Sequence, residues 1–414
     1  MSTALLTDHY ELTMLEAALD SGLAGRRAVF EVFARRLPTG RRFGIVAGQG
    51  RLATLLPAVR YDAEALDALS FLRPAARRWL EGRELALEIS CYAEGSAYAP
   101  GSPVLTVAGC FGEALLLETL VLSVLNADTA IASAAARMVL AAGGRPLIEM
   151  GSRRAHEQAA VSAARAAYVA GFTSTSNLEA GRRHGIPTAG TSAHSFVLAH
   201  TSEADAFQAQ VASLGPSTTL LVDTYDTDRG IRTAVEVAGR SLGAVRLDSG
   251  DPAVEVPRAR ALLDSLGATA TRIVVTGDLD EHAIAGLAGE AVDAYGVGTS
   301  LVTGSGAPTA GFVYKLVAVA REDGPDAPLV PVAKTSAGKR SIGGRKWAYR
   351  TDDGREVLRL SPEGTGSPLQ QPLPSGDDVA EARLACAAAL LALPVEARRL
   401  DPGDPAWTAT MEDA

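Results

Sequence analysis

Between residues 149 and 300 the sequence repeatedly closes a short apolar run with a string of acids, bases, hydroxyls and glycines. Glu149, Met150 and Arg153 follow PLI; Thr175, Ser176 and Asn177 follow GFTS; His194 stands in GTSAHS. Asp223 and Asp226 lie in VDTYDT, Arg246, Asp248 and Asp251 in RLDSGD, Gly277 and Asp278 after RIVVT, and Gly298 and Thr299 in YGVGTS. A guanidinium such as Arg153 or Arg246 can bind a carboxylate or phosphate through two parallel hydrogen bonds. A rim salt bridge to a neighbouring Asp is the commoner use of an arbitrary Arg. Asp248 and Asp251 flank a Gly-containing turn that can present carboxylates to sugar hydroxyls or Mg2+-bound water, with turn capping the equally common alternative. Asp223 and Asp226 carry the same two readings, one of them suited to N-capping the next helix. The neutral imidazole of His194 is a competent nucleophile near pH 7, or a structural hydrogen-bonding group. The YGVGTS loop can cradle a phosphate with its backbone amides, or simply make a tight turn.

These strings need elements that bring them together. From about Gly112 to Thr303, short β-branched or apolar runs alternate with longer helix-period segments. PLIEM, FTST, PTAG, TLLVD, AVRLD, RIVVT and DAYGVG read as seven strands, and HEQAAVSAARAAYVA and DRGIRTAVEVAGRSL as two of the intervening helices. About seven parallel strands with outer helices predict an irregular α/β barrel. Residues just past its strand ends would then share one rim, where barrels bind their substrates. Outside this region, 28–35, 85–108, 312–320, 329–334 and 346–360 read as strands, and 11–21, 46–58 and 378–393 as helices. The division expected is 1–111 and 311–414 for an α+β domain built from both chain ends, and 112–310 for the barrel. The tail after Pro394, rich in Pro, Asp and Gly, reads as loosely held.

Composition narrows the function classes. With 414 residues, 47% hydrophobic and 21% charged, the chain can bury more than one core. A formal net charge of -9 argues against general affinity for nucleic acid or acidic membranes. Cys91, Cys110 and Cys386 are widely spaced and read as reduced thiols. No basic segment precedes an apolar stretch at the N-terminus and no run of 18 apolar residues is evident, so the cytoplasm is the default location.

Nine segments occur in an order that resembles the nicotinate phosphoribosyltransferases: TDHYELTM at 7–14, FARRLPTG at 33–40, EMGSRRA at 149–155, GFTSTSN at 171–177, GIPTAGTSAHSF at 185–196, VDTYDT at 222–227, RLDSGD at 246–251, YGVGTSLVT at 295–303 and VYKLV at 313–317. The resemblance implies an irregular barrel of the type II phosphoribosyltransferase kind, and a homodimer with shared active sites. It implies transfer of phosphoribose from phosphoribosyl pyrophosphate to nicotinic acid, with Mg2+ held mainly by pyrophosphate, and with ATP hydrolysis coupled through a phosphorylated His194. On the same basis Arg153 and Arg246 contact nicotinate and phosphoribose, while Asp223, Asp248 and Asp251 serve the ribose and its metal. Thr175, Ser176, Asn177, Gly277, Asp278, Gly298, Thr299 and Lys315 complete the binding set, and Tyr10 stacks on the pyridine ring in the partner's site beside Asp8. The chain departs from the family at Met150, where an aromatic is usual, and at Ser174 and Gly343–Lys346, where Gly and a Pro-Gly pair are common. The resemblance also implies that nicotinamide-using relatives carry Asp where this chain has Ser176, which favours the acid over the amide. Quinolinate phosphoribosyltransferase, which shares the barrel type, and a catalytically inactive phosphoribosyl-binding sensor are the rival readings. Lys334, Lys339, Arg340, Arg345 and Lys346 make the later chain locally basic and, taken singly, read as solvated surface charges.

Overall fold

Six short parallel strands carry the polar strings. The computed structural model describes residues 2–324, 326–334 and 341–412, so Lys339 and Arg340 lie outside the described residues. The chain divides into two units, Ala134–Gly306 and the pair of segments Met1–Ser133 and Ala307–Ala414.

In Ala134–Gly306 the sheet runs Ser174–Thr175, Leu147–Glu149, Ala294–Val297, Arg272–Val275, Ala244–Leu247, Thr219–Leu221, every neighbour parallel. Its interior is β-branched and aliphatic: Leu220, Val245, Ile273, Val275 and Val297 are all buried, as expected where a parallel sheet is covered on both faces. The predicted strand PTAG does not form. Thr188 makes only an isolated bridge to Thr175, because Pro187 has no N–H to donate to a ladder and Gly190 has no side chain to pack. The strands therefore number six, and the two outermost, Ser174–Thr175 and Thr219–Leu221, do not pair with each other. The result is a parallel half-barrel.

Helices follow the strands for local reasons. Thr227–Ala238 buries Gly230, Ile231, Ala234 and Ala238, one face of a 3.6-residue period. Asp226 caps its start by accepting from Arg229 N at 2.8 Å. A Cβ on Gly230 would lie 2.0 Å from the Val222 carbonyl oxygen, so only glycine lets this helix close onto the strand end.

The other unit holds an antiparallel sheet ordered Leu329–Pro331, Phe312–Ala320, Arg27–Ala34, Leu105–Cys110, Glu88–Tyr92, Gln370–Pro372. The tail is not loose. Thr410–Met411 pairs in parallel with Glu356–Arg359, and Trp407 Nε1 donates to Glu356 Oε2 at 3.3 Å. The helix Glu118–Ala142 has a mean hydropathy of 1.4, high enough to cross a membrane, but 67% of its apolar window is buried within the protein. It also carries the fully buried Asp128, paired with Arg51 at 2.7 Å, which fits a core helix. All three cysteines are free, and burial pushes the Cys91 and Cys386 thiols up to about 12.

The central strand Arg27–Ala34 buries one charge, Glu31, which is fully buried against Lys346 Nζ at 2.8 Å. Lys346 also donates its backbone N–H to Glu31 at 2.7 Å and its ammonium to the carbonyls of Ile342 and Gly344. Lys346, read as a surface charge, is thus 4% exposed, because Glu31 and the carbonyls of Ile342 and Gly344 replace the water around its ammonium. Lys346→Met should destabilise the protein by about 3–5 kcal/mol in urea unfolding, since it strands a buried carboxylate. The double change Glu31→Gln with Lys346→Met should recover most of that loss.

Candidate functional site

Beyond the ends of Thr219–Leu221 and Ala244–Leu247 the backbone N–H groups of Asp248 and Ser249 have no ladder partner. Asp223 supplies one. Its Oδ2 accepts from Asp248 N at 2.8 Å, Ser249 N at 2.7 Å and Ser249 Oγ at 2.5 Å. Asp248 is further fixed by Thr276, whose hydroxyl donates to Oδ1. Gly277 next to it has φ +121°, and a Cβ there would lie 3.1 Å from the Asp248 carbonyl oxygen, so this turn requires glycine.

The other carboxylate oxygen of Asp248 lies 3.5 Å from His194 Nε2, and Thr224 Oγ1 lies 3.1 Å from His194 Nδ1. His194 opens the short helix His194–Leu198 and is a little over a third exposed. Arg246, from the same strand as Asp248, donates to Thr191 Oγ1 at 2.5 Å. Burial lowers the Arg246 guanidinium below its ordinary range; Asp248 and Asp223 oppose that and Arg153 reinforces it. Arg246 Nε, Asp223 Oδ1 and Ser192 Oγ are buried without a hydrogen-bond partner among the described residues. Native proteins rarely leave such atoms unsatisfied, and their clustering marks a place for a polar ligand.

A second polar group surrounds the end of Leu147–Glu149. Glu149 is fully buried; its carboxylate accepts from Gly151 N and from Thr175 Oγ1, the latter at 2.5 Å, and burial raises its proton affinity. Thr175 Oγ1 in turn accepts from Asn177 N at 2.9 Å, and Asn177 Nδ2 donates to Ser152 Oγ at 3.1 Å. Ser176 and Arg153 are exposed beside this network, and Met150 is half-buried. A Cβ on Gly296 would lie 2.7 Å from Met150 Sδ, so the thioether packs against bare backbone. Gly298 stands at the N-cap of Thr299–Val302, with Thr299 exposed.

Some of the expected residues have local duties. Asp226 caps Thr227–Ala238, and Asp251 caps Pro252–Ser265 by accepting from Ala253 N at 3.0 Å. Asp278 is exposed beside Gly277. Tyr10 and Lys315 belong to the other unit, where they meet around Glu118: Lys315 Nζ is 3.9 Å from its Oε1, and its carboxylate acts on the Tyr10 phenol. Glu11 brings Tyr10 there. It is fully buried, accepts from Thr119 N at 2.9 Å and Thr119 Oγ1 at 2.5 Å, and also from the Thr7 hydroxyl. Tyr10 remains 42% exposed, yet partial burial and then Glu118 push its phenol up to about 12. Sequence reasoning passed over Thr191, Thr224 and Thr276. Their signal was slight: each is a hydroxyl within two residues of a strand end or inside a string already singled out. Among the described residues, no three His, Cys, Asp or Glu side chains converge to hold a metal ion.

Comparison with known proteins identifies the lineage. Residues 5–126 match the nicotinate phosphoribosyltransferase N-terminal domain and residues 146–359 the nicotinate phosphoribosyltransferase family. The chain belongs to the nicotinate phosphoribosyltransferase family. It is similar to nicotinate phosphoribosyltransferase pncB1 of Mycobacterium tuberculosis, at 56% identity over 97% of this chain and 94% of that protein. The nicotinate phosphoribosyltransferase of Bacillus subtilis is 37% identical over 84% of this chain and 73% of its own length. The crystal structure of human nicotinic acid phosphoribosyltransferase superposes with a TM-score of 0.82 at 26% identity, covering 98% of both chains. Membership in the nicotinate phosphoribosyltransferase family makes the chain an enzyme, and the half-barrel is the fold it shares with the human structure.

Replacing the carboxylate that ties the two strand ends tests the geometry. Asp223→Ala should leave two backbone donors unpaired, lower unfolding stability by about 1–3 kcal/mol and reduce turnover. A variant with unchanged stability by urea unfolding would show that the tie carries no strain-bearing role.

Proposed function

We propose that the chain joins the ring nitrogen of nicotinic acid to the ribose of phosphoribosyl pyrophosphate, giving nicotinate mononucleotide and pyrophosphate on the way to NAD. ATP hydrolysis is coupled to this transfer through a phosphorylated His194, and the enzyme works in the cytoplasm. The observation that supports this most is the meeting of Arg246, Asp248, Asp223 and His194 on one rim of the half-barrel, with buried donor and acceptor atoms left over.

The transfer develops positive charge at the anomeric carbon and negative charge on the leaving pyrophosphate, so it needs alignment and charge complementarity, without a protein nucleophile on the sugar. Arg246 and Arg153 answer the anionic groups, the ring carboxylate and phosphates. Asp248 and Asp223 lie where carboxylates hold ribose hydroxyls and favour the cationic sugar, and Asp251 reaches the same turn. The amides around Gly298, Thr299, Gly277 and Asp278 serve the ribose phosphate. Thr175, Ser176, Asn177 and Met150 line the pyridine. Mg2+ enters on pyrophosphate and keeps much of its water. When bound, it neutralises the leaving group. Tyr10 and Lys315, gathered by Glu118, complete the site of a second subunit in a homodimer.

The test is turnover of labelled nicotinic acid with phosphoribosyl pyrophosphate and Mg2+, with and without ATP. Nicotinate mononucleotide formation raised by ATP is the expected result; product from quinolinate alone would assign the substrate elsewhere, and no product from any pyridine would favour a sensor. His194→Ala should abolish both the phosphohistidine and the stimulation by ATP, and stimulation that survives the change would sink the coupling. Ser176 offers nicotinamide no carboxylate acceptor for its amide hydrogens, so kcat/KM for nicotinamide should fall at least about 100-fold below that for the acid. Comparable values would overturn the substrate assignment.

A further inference from the structure

We propose that Thr224 is a positioning residue for His194, holding the imidazole with its proton on Nε2 and an unprotonated Nδ1 ready to accept a phosphoryl group. This rests on the phosphohistidine reading above. The ring is bracketed by two groups of different hydrogen-bonding character: Asp248 Oδ2 3.5 Å from Nε2 and Thr224 Oγ1 3.1 Å from Nδ1. An ionised carboxylate can only accept, so the ring proton belongs on Nε2; a hydroxyl can donate, and so can serve the lone pair on Nδ1.

Both brackets are themselves held. Asp248 is fixed through its other oxygen by Thr276 and through its backbone by Asp223. Thr224 is confined between Asp223, tied to the neighbouring strand end, and Asp226, which caps Thr227–Ala238. The contact of Gly230 with the Val222 carbonyl leaves that loop little room to shift. His194 itself sits at a helix start, where its backbone is set by the short helix His194–Leu198. Removing the Thr224 hydroxyl leaves Nδ1 without its partner, and the ring is then free to turn or exchange tautomers.

As the Thr224 hydroxyl yields its hydrogen bond, the Nδ1 lone pair forms an N–P bond to the terminal phosphorus of a nucleoside triphosphate while the bond from that phosphorus to the bridging oxygen breaks, and the nucleoside diphosphate leaves with the electron pair. Nε2 keeps its proton, and Asp248 offsets the positive charge that develops on the ring.

The tautomer can be read directly on the full chain labelled with 15N-histidine, the His194 signals being assigned by their loss in His194→Asn. Long-range 1H–15N spectra should show a protonated Nε2 and an unprotonated Nδ1. Thr224→Val should give a mixed or averaged pattern, and Thr224→Ser, which keeps the hydroxyl, should restore the original one. In parallel, transfer of label from γ-32P-ATP to His194 should slow about tenfold in Thr224→Val, the effect of one lost hydrogen bond, and recover in Thr224→Ser. A proton on Nδ1 in the unmodified protein, or a Thr224→Val variant with unchanged spectrum and labelling rate, would overturn the proposal. Absence of label in the unmodified protein overturns the phosphohistidine reading instead, while the spectrum separately decides whether Thr224 holds the ring.

Discussion

One carboxylate oxygen, Oδ2 of Asp223, gathers three donors from the turn at 248–249. Where a parallel ladder runs out, the last amide groups must find partners or lose stability, and a charged acceptor binds them more strongly than a carbonyl would. This tie fixes the spacing of two adjacent strand ends, and much else follows from it. Asp248 is held within reach of the imidazole, Thr224 emerges directly after the tied residue, and Arg246 rises from the same strand two residues earlier. Positions one residue past a strand end are ordinarily the least constrained in the sheet; here a single side chain gives them the rigidity that a reacting group needs.

The unit built from both chain ends uses the same device at depth. Glu356 accepts from Tyr92 at 2.7 Å, Ser102 at 2.5 Å and Trp407 at 3.3 Å, and pairs with Arg350 at 3.5 Å. Glu11 joins the N-terminal helix His9–Asp20 to the start of Glu118–Ala142. A buried carboxylate is costly unless several donors surround it, and each of these acids draws its donors from segments far apart in sequence. Such acids therefore discriminate between the correct juxtaposition of segments and a merely hydrophobic one. Lys315 and Tyr10, over three hundred residues apart in the chain, meet on the consequence of one such splice.

Much of this architecture was legible where a local rule decides. Phe312–Ala320 lies where its β-branched and aromatic run predicted it, and Val379–Ala392 falls within the helical stretch read at 378–393. PTAG was misleading because a short apolar run signals a strand even when Pro187 cannot extend a ladder. The tail misled for a different reason: its Pro, Asp and Gly content is that of a loose segment, and nothing local announces that Trp407 reaches Glu356. At the rim, residue types identified the strings but not the division of labour inside them. Asp223 and Asp226 are alike in sequence; only the closure of Thr227–Ala238 onto Val222 makes one a tie between strands and the other a helix cap. Thr224 between them carries only the slight signal of its place in the string until His194, thirty residues away, is brought against it.

The arrangement of segments also bears on how the chain comes to be built. Ala134–Gly306 is continuous in sequence, and its sheet needs nothing synthesised later. Arg27–Ala34, by contrast, pairs on one side with Leu105–Cys110 and on the other with Phe312–Ala320, and Glu356–Arg359 takes its last partner from Thr410–Met411. During translation the first strands must therefore wait with an open edge while some two hundred residues are added, and the middle of the molecule can be complete before its ends are joined. Exposed strand edges are where nascent chains aggregate. The charge at Glu31, in the middle of the waiting strand, keeps that edge from being uniformly apolar until Lys346 emerges to neutralise it.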